Sequence, residues 1–205
     1  MTYLDELLSS TRTRIADGRF KLPEKGLEQR IASLPPPRPF IAALDQPGLS
    51  VIAEIKRATP RAGDLNLDVE AGRLASLYVS GGAAALSVLT EPRFFKGSVE
   101  DLQAALATGL PVLRKDFILD PWQLLETRAM GADAVLLIVR TLGDELAGLV
   151  AGARALGLAA LVEIHDEHEL ERAVDAGASC IGVNHRDLTT FEVDPDRTAT
   201  LGHSG

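Results

Sequence analysis

The chain alternates between short, almost entirely apolar segments and longer amphipathic segments, and the alternation recurs from Leu49 onward. The amphipathic segments have helical spacing and most of them end at glycine, which is typical of helices closed by a C-terminal glycine. The apolar segments read as strands covered on both faces. Six strands are predicted, over residues 51–56, 84–90, 110–115, 134–139, 159–164 and 179–184. Each unit takes roughly 25 residues, long enough for right-handed crossovers, so the pattern predicts a parallel α/β sheet.

Helix-start signals lie between the predicted strands. Ser98 and Asp166 each have an acidic residue three positions later, which resembles a capping box, and Asp120 stands before Pro121. Asp68 is expected to cap the helix that follows the first strand. Side chains of this kind accept hydrogen bonds from the free N–H groups at a helix start, and proline suits the first helical position.

The first 40 residues have a different organisation. Helices are predicted over residues 3–17, ended by Gly18, and from Pro23 to Ser33. The proline-rich segment 34–39 that follows is incompatible with a helix or a central strand. The alternatives for it are a floppy linker and an ordered connector. Its shortness and the apolar faces of both helices favour an N-terminal helical extension, residues 1–40, packed on a barrel of residues 41–205.

Two architectures fit the repeated unit, an open doubly wound sheet and a (β/α)8 TIM barrel. Nearly every predicted strand is followed by a polar side chain, and no glycine-rich nucleotide-binding motif follows the first strand. In a barrel these side chains meet at one mouth, whereas in an open sheet the outer ones lie far apart. The barrel is therefore favoured, on the strand-end residues Glu54, Lys56, Glu91, Lys115, Arg140, Glu163, Asn184 and Arg186.

The strand count falls short of a closed barrel, which needs eight strands. No convincing strand is predicted in the last 20 residues. We therefore expect a barrel that is truncated after the sixth strand and lacks its last two βα units, or one completed by another molecule. Unpaired strand edges favour association between chains, and a monomer is the alternative.

Composition restricts the classes of binding partner and the cellular compartment that we expect for this protein. The net charge is −8, which argues against a general nucleic-acid surface but leaves room for a local anion pocket. Cys180 is the single cysteine, so no internal disulfide can form and a reducing cytoplasm is expected. No apolar stretch approaches the length of a membrane span, and the N-terminus does not resemble a secretory or organellar signal.

Five strand-end residues suggest acid–base chemistry on an anionic substrate. Two carboxylates, two ammonium groups and an amide would share the mouth, without a metal or another cofactor: Glu54, Glu163, Lys56, Lys115 and Asn184. Each has an ordinary alternative, such as an internal ion pair or a lysine that reaches solvent. His165 and His168 do not form a metal site, because His168 is expected to face solvent.

Six segments together resemble the indole-3-glycerol phosphate synthase family in order and spacing. They read EIKRATPRAG from Glu54, LSVLTEPRFFKGS from Leu86, PVLRKDFILDPWQ from Pro111, GADAVLLI from Gly131, LVEIHDEHEL from Leu161 and IGVNHRDLTTFEVD from Ile181. The resemblance implies a (β/α)8 barrel with an N-terminal helical extension. It also implies a carboxy-lyase of tryptophan biosynthesis that converts the phosphorylated small molecule 1-(2-carboxyphenylamino)-1-deoxyribulose 5-phosphate to indole-3-glycerol phosphate, carbon dioxide and water.

The resemblance also implies residue roles. Lys115 corresponds to a general acid and Glu163 to a general base. Lys56 is expected to hold the substrate's anions and to be able to donate a proton. Orienting roles fall to Glu54 and Asn184. Arg186 corresponds to the basic residue near the phosphate. The walls around the aromatic ring are expected to come from Phe94, Phe117, Thr59 and Pro60.

Three departures from the family pattern bear on these expectations. Arg61-Ala62 replaces a frequent Ser-Lys, and His185 replaces a frequent second asparagine. The phosphate-binding turns of the last two βα units have no counterpart. A catalytically silent barrel fragment therefore stays open as an alternative. A barrel like phosphoribosylanthranilate isomerase is the other, disfavoured by the Lys115–Glu163 pair and the N-terminal extension.

Overall fold

The computed structural model describes residues 2–60, 63–65, 67–68, 70–187 and 192–201. Six strands form the main sheet: β1 (Ile52–Ile55), β2 (Ala85–Leu89), β3 (Val112–Lys115), β4 (Ala134–Ile138), β5 (Ala159–Ile164) and β6 (Ile181–Val183). The helices are α1 (Tyr3–Lys21), α2 (Glu24–Ala32), α3 (Phe40–Leu44), α4 (Ala71–Ser80), α5 (Val99–Leu106), α6 (Pro121–Ala129), α7 (Val139–Leu142), α8 (Leu146–Ala155), α9 (Glu167–Asp175) and α10 (Arg197–Leu201).

The six strands are all parallel and pair in chain order from β1 to β6. The registers place Leu89 opposite Lys115 and Ile138 opposite Glu163, so the carboxyl ends of the strands lie at one edge. The predicted parallel α/β sheet of (β/α) units is confirmed, and its six strands lie within one or two residues of the predicted ranges. Within the described ranges the sheet forms a curled half-barrel.

Alternate strand residues face two different cores. On one face, Leu86, Val88 and Val112 pack against helices that cover the outside of the sheet. On the other face, Ala85, Leu113 and neighbouring residues of β4 pack with Leu7 of α1 and Phe40 of α3. Both faces are therefore apolar, which explains why the strand sequences lack a polar alternation.

The N-terminal helices are anchored on α6. The Trp122 indole N–H donates to the carbonyl oxygen of Leu22 at 3.2 Å, and Trp122 packs in a cluster with Ile15 and Leu27. The prediction that Gly18 ends the first helix is wrong, because α1 continues to Lys21. A Cβ atom at Gly18 would lie 2.4 Å from the ring of Trp122. This glycine permits close packing of α1 on α6 and does not act as a stop signal.

Of the four predicted helix N-caps, three are confirmed and one is wrong. Ser98, Asp120 and Asp166 all accept hydrogen bonds from backbone N–H groups at the starts of their helices. Asp68 does not cap α4, which begins two residues later than such a cap requires, after Glu70. A short antiparallel hairpin, Ala58–Thr59 with Gly63–Asp64, occupies this loop and takes up chain before the helix can begin.

The sequence pattern missed α3, α7, α10 and this hairpin, all of which are short. Positions 61–62, in the loop after β1, and 203–205, at the end of the chain, lie outside the described residues. Within the described part of the chain, no helix has both the length and the apolar character needed to cross a membrane.

Candidate active site

Three charged side chains from β1 and β3 meet at the carboxyl edge of the sheet. The Glu54 carboxylate lies between two ammonium groups, with Lys56 Nζ 2.6 Å from Oε1 and Lys115 Nζ 2.9 Å from Oε2. Glu54 and Lys56 are two residues apart and so face the same side of the chain. The Tyr78 hydroxyl donates to the Glu54 carbonyl at 3.1 Å and helps to fix the end of β1.

A second polar group comes from β5 and the end of β6. The Asn184 amide donates from Nδ2 to Glu163 Oε1 at 2.9 Å. Asn184 Oδ1 accepts the backbone N–H of Arg186 at 2.9 Å, so the amide orientation is fixed from both ends. Glu163 is thereby held as a hydrogen-bond acceptor.

The charges in this group shift two pKa values in opposite directions. Burial opposes ionisation of Glu54, but the ammonium groups of Lys115 and Lys56 outweigh it and hold the pKa of Glu54 below its usual value. Burial by itself would lower the pKa of Lys115, whereas the facing Glu54, with a smaller effect from Glu163, raises it. Lys115 is therefore a protonated ammonium at neutral pH, as a proton donor must be.

A cavity of about 510 Å³ opens over these residues. Nine of the ten predicted site residues line it: Glu54, Lys56, Thr59, Pro60, Lys115, Phe117, Glu163, Asn184 and Arg186. Phe94 does not line the cavity. Its ring packs edge-on against Tyr3 with centroids 5.0 Å apart, and the neighbouring Phe95 lines the wall instead.

Two of the strand-end residues that favoured a barrel have other positions. Glu91 is buried and its carboxylate accepts the backbone N–H groups of Arg93, Phe94 and Phe95, so it shapes the loop after β2. Arg140 forms ion pairs with Glu169 and Asp187, away from the cavity lining. Neither residue lines the cavity.

A buried ionic network adjoins Lys115 and is centred on Asp116, which also borders the cavity. Asp116 accepts hydrogen bonds from both terminal nitrogens of Arg14, at 3.0 and 2.7 Å, and from Thr90 at 2.7 Å. Arg114 adds an ion pair to the same carboxylate at 3.1 Å. Although burial opposes ionisation, these cations hold the pKa of Asp116 at about 2. The chain next to Lys115 is thus fixed by a buried carboxylate that itself borders the cavity.

Besides Phe95 and Asp116, further cavity residues that were not predicted from the sequence come from two sources. Leu89, Leu136 and Ile138 have the strand positions that face inward with Lys115, so counting alternate residues would have found them. Tyr3, Leu4 and Leu7 come from α1, and no local pattern indicates where a helix docks. The cavity therefore joins charged strand ends to an apolar wall from the N-terminal helix.

The donor set fits an organic anion better than a metal ion. Among the residues that the structure describes, no group of three or more His, Cys, Asp or Glu side chains is arranged to hold a metal. His168 is exposed, as expected. Two ammonium groups, a carboxylate acceptor and an apolar wall can bind an aromatic anion and transfer protons on it.

A comparison with known sequences identifies the relatives of this chain. The sequence model of indole-3-glycerol phosphate synthase matches residues 4–204. The chain belongs to the indole-3-glycerol phosphate synthase family. A family member from Parafrankia sp. (strain EAN1pec) is 49% identical over 203 residues, which cover 98% of this chain and 76% of that protein. One from Roseiflexus sp. (strain RS-1) is 47% identical over 210 residues, with 98% and 78% covered.

Solved structures that resemble this chain support the fold alone. The N-acetylmannosamine-6-phosphate 2-epimerase from Clostridium perfringens has a TM-score of 0.51 at 18% identity, covering 65% of this chain and 64% of its own. A structure described as native KDPGal has a TM-score of 0.53 at 17% identity, covering 78% and 68%. Both likenesses fit a TIM-barrel type of α/β fold.

Membership of the family establishes the kind of reaction. Indole-3-glycerol phosphate synthases are carboxy-lyases of tryptophan biosynthesis, and they act on a phosphorylated small molecule. The family expectation drawn from the six sequence segments is confirmed. Residues 188–191, which belong to the last of those segments, lie outside the described residues.

Proposed function

We propose that the cavity binds 1-(2-carboxyphenylamino)-1-deoxyribulose 5-phosphate and closes its indole ring, with Lys115 as general acid and Glu163 as general base. One observation supports this assignment above the others: a protonated lysine and a carboxylate acceptor line the same 510 Å³ cavity. The donor is held by Glu54 and the acceptor by Asn184. A donor and an acceptor fixed across one cavity are what a ring closure followed by dehydration requires.

Lys115 acts on the ketone oxygen of the substrate. As the aromatic carbon that carries the carboxylate attacks the ketone carbon, charge develops on that oxygen, and the ammonium group stabilises it and gives it a proton. Carbon dioxide then leaves and its bonding electrons restore the aromatic ring. After Lys115 has regained a proton from solvent, it protonates the new hydroxyl, which leaves as water.

Glu163 takes a proton from the carbon between the nitrogen and the new ring bond, which forms the indole double bond as water leaves. Asn184 donates to one of its oxygens, so the carboxylate cannot rotate away from the substrate. Glu54 and Asn184 accordingly orient the acid and the base.

The remaining residues hold the ends of the substrate. Lys56 shares Glu54 with Lys115 and adds a second positive charge for the substrate carboxylate. We place the phosphate near Arg186, at the end of β6, and the aromatic ring against Phe117 and the Thr59-Pro60 turn. Phe94 contributes through Tyr3, on which it packs.

We further propose that residues 1–40 form an extension of the 41–205 barrel whose first helix completes the cavity wall. No nucleic acid or membrane partner is needed for this activity. The cytoplasm remains the expected compartment, since the single cysteine, Cys180, has no second cysteine in the chain to pair with.

The test is turnover of the purified 205-residue chain with the carboxyphenylamino substrate, followed by the fluorescence of the indole product. Lys115→Met and Glu163→Gln are each expected to reduce kcat by at least about a hundredfold. Lys25→Met, which removes an exposed lysine on α2, is the matched control and should keep full turnover. Folded protein without activity, or a Lys115→Met variant with unchanged kcat, would contradict the proposal.

A further inference from the structure

A buried histidine lies behind the proposed base and is not part of the cavity lining. His165 directly follows β5, and its side chain is 1% exposed. Its Nε2 atom lies 3.6 Å from Oε1 of Glu163, and among the described residues this nitrogen has no hydrogen-bond partner. A buried polar atom without a partner costs folding free energy, so its presence calls for an explanation such as a functional role.

The other ring nitrogen is firmly held. His165 Nδ1 lies 3.0 Å from Oε2 of Glu169, and the same oxygen accepts the His165 backbone N–H at 2.8 Å. The second oxygen of Glu169 accepts Arg140 Nε at 3.0 Å. Burial opposes ionisation of Glu169, but these contacts outweigh it and keep its pKa below the usual value.

This arrangement selects one form of the imidazole. An ionised carboxylate can only accept hydrogen bonds, so the hydrogen of the ring must be on Nδ1. In the neutral ring Nε2 then carries a lone pair, and this lone pair faces Glu163. The two carboxylates that flank the imidazole are themselves held in place, Glu169 by Arg140 and Glu163 by Asn184.

A lone pair beside a carboxylate favours the protonated carboxyl group. While Glu163 is ionised, two acceptors face each other across 3.6 Å without a hydrogen between them. Once Glu163 has taken a proton, its O–H can donate to Nε2. This removes the repulsion between the two acceptors and gives the buried Nε2 atom a hydrogen-bond partner. A hydrogen bond to His165 therefore becomes available to Glu163 only after Glu163 has taken the substrate proton.

We propose that His165 is a positioning residue that acts through Glu163, its Nε2 atom accepting a hydrogen bond from Glu163 after that carboxylate takes the substrate proton. The proposal rests on the proposed role of Glu163 as the base. The proton stays on Glu163, so no further acceptor is required.

The charged groups around Glu163 define the background for a pH test. Lys115 from β3 faces it across the cavity and favours its ionised form. Behind His165, the charges are Glu169 of α9 and Arg140 of α7. Arg140 is paired in turn with Asp166 and Asp187. A substitution at position 165 leaves Lys115 and the ion pairs of Arg140 in place, and of these groups it directly contacts only Glu169.

Two amide substitutions separate the two ring nitrogens. In His165→Asn the amide can replace Nδ1 as the donor to Glu169, and the acceptor at the Nε2 position is lost. In His165→Gln the longer side chain places an amide near the Nε2 position and can restore an acceptor. Thermal unfolding and near-ultraviolet circular dichroism establish that each variant is folded.

The expected results concern kcat and the acid limb of its pH profile. His165→Asn should lower kcat about tenfold with unchanged KM, and should move the acid limb to lower pH by about one unit. His165→Gln should recover part of both changes. An acid limb that does not move would show a purely structural role and overturn the proposal. A limb that moves to higher pH would also overturn it, because it would mean that a charged His165 had been stabilising ionised Glu163.

A second measurement does not depend on activity and reads the wild-type protein, with a folded amide variant needed only for assignment. In wild-type protein labelled with nitrogen-15 histidine, the His165 resonances should report hydrogen on Nδ1 and a bare Nε2 at neutral pH. Either amide variant identifies these resonances among the four histidines. An imidazolium or the opposite tautomer would refute the proposal. Full turnover in Glu163→Gln would instead refute the role of Glu163 as base, so the two failures are distinguishable.

Discussion

Arg14 of α1 and Asp116, the residue after Lys115, form a two-pronged ion pair across 102 positions of sequence. The Asp116 side chain is fully buried, and the Arg14 side chain is 29% exposed. The N-terminal helix is therefore tied to the strand end that bears the proposed general acid. Loss of this pair acts on stability and on the position of Lys115 together.

Arg14→Met is expected to lower the free energy of unfolding by about 2 kcal/mol, because Asp116 remains buried with one cation fewer. Arg19→Met is the matched control on the same helix. Arg19 pairs with Asp120 at 2.6 Å but is 46% exposed, so its removal should cost less than about 1 kcal/mol. Urea unfolding measures both, and equal losses would contradict the importance assigned to the buried pair.

Asp116 should also determine part of the acid stability. Its folded pKa of about 2 lies below the ordinary value of 3.8. The stabilisation is therefore complete above pH 3.8 and is lost as the pH falls toward 2. By linkage it amounts to roughly 2 kcal/mol. Unfolding measured between pH 5 and 2 should show a shallower decline in Asp116→Asn than in wild type, and an identical slope would be inconsistent with the ionised, paired carboxylate.

The Glu54 carboxylate should control the basic limb of the pH–rate profile. With Glu54→Gln, burial continues to lower the pKa of Lys115 and the main opposing charge is gone. The basic limb should then move to lower pH by about one unit or more. Lys56→Met keeps the Glu54–Lys115 pair, so it should leave that limb in place and mainly raise KM. A basic limb that moves equally in both variants would argue against Lys115 as the titrating acid.

Gly18 tests the close packing of α1 against α6. Gly18→Ala places a methyl group against the Trp122 ring and should destabilise the protein by about 1–3 kcal/mol. Gly148→Ala is the control. It also lies inside a helix but has no neighbouring atom within 4 Å, and it should stabilise by about 0.5–1 kcal/mol. Trp122 is the only tryptophan, so its fluorescence reports the packing directly. Stabilisation in both variants would contradict this prediction, because it would mean that α1 and α6 can move apart without a loss of folding free energy.

The strand framework of the site could be predicted because it depends on local rules. Strand ends and a period of two place Glu54, Lys56, Lys115 and Glu163 on one face, and parallel pairing brings them to one edge. Glycine-ended helices fixed the spacing between strands. The same rules would also have identified Leu136 and Ile138 as inward-facing.

Features that depend on tertiary contacts could not be predicted in this way. Phe94 and Phe95 are adjacent aromatic residues in a loop, and the choice of which one faces the cavity is made by Glu91 and its three backbone contacts. Gly18 has the sequence signature of a helix end, yet its role is set by a tryptophan more than 100 positions away. From the sequence, His165 was considered only as a metal ligand, and that role was rejected. Its partners Glu169 and Glu163 become apparent only in three dimensions.

The apolar wall that α1 gives to the cavity has a consequence for biosynthesis of the protein. Leu7 packs in the same cluster as Leu136 and Ile138, so α1, which is synthesised before β4, must wait for that strand before the cluster can form. Such contacts between distant parts of the chain form slowly, because a long loop has to close before any of them is made. During translation, the apolar side chains of α1 that later form the cavity wall therefore stay unpacked until β4 has been made.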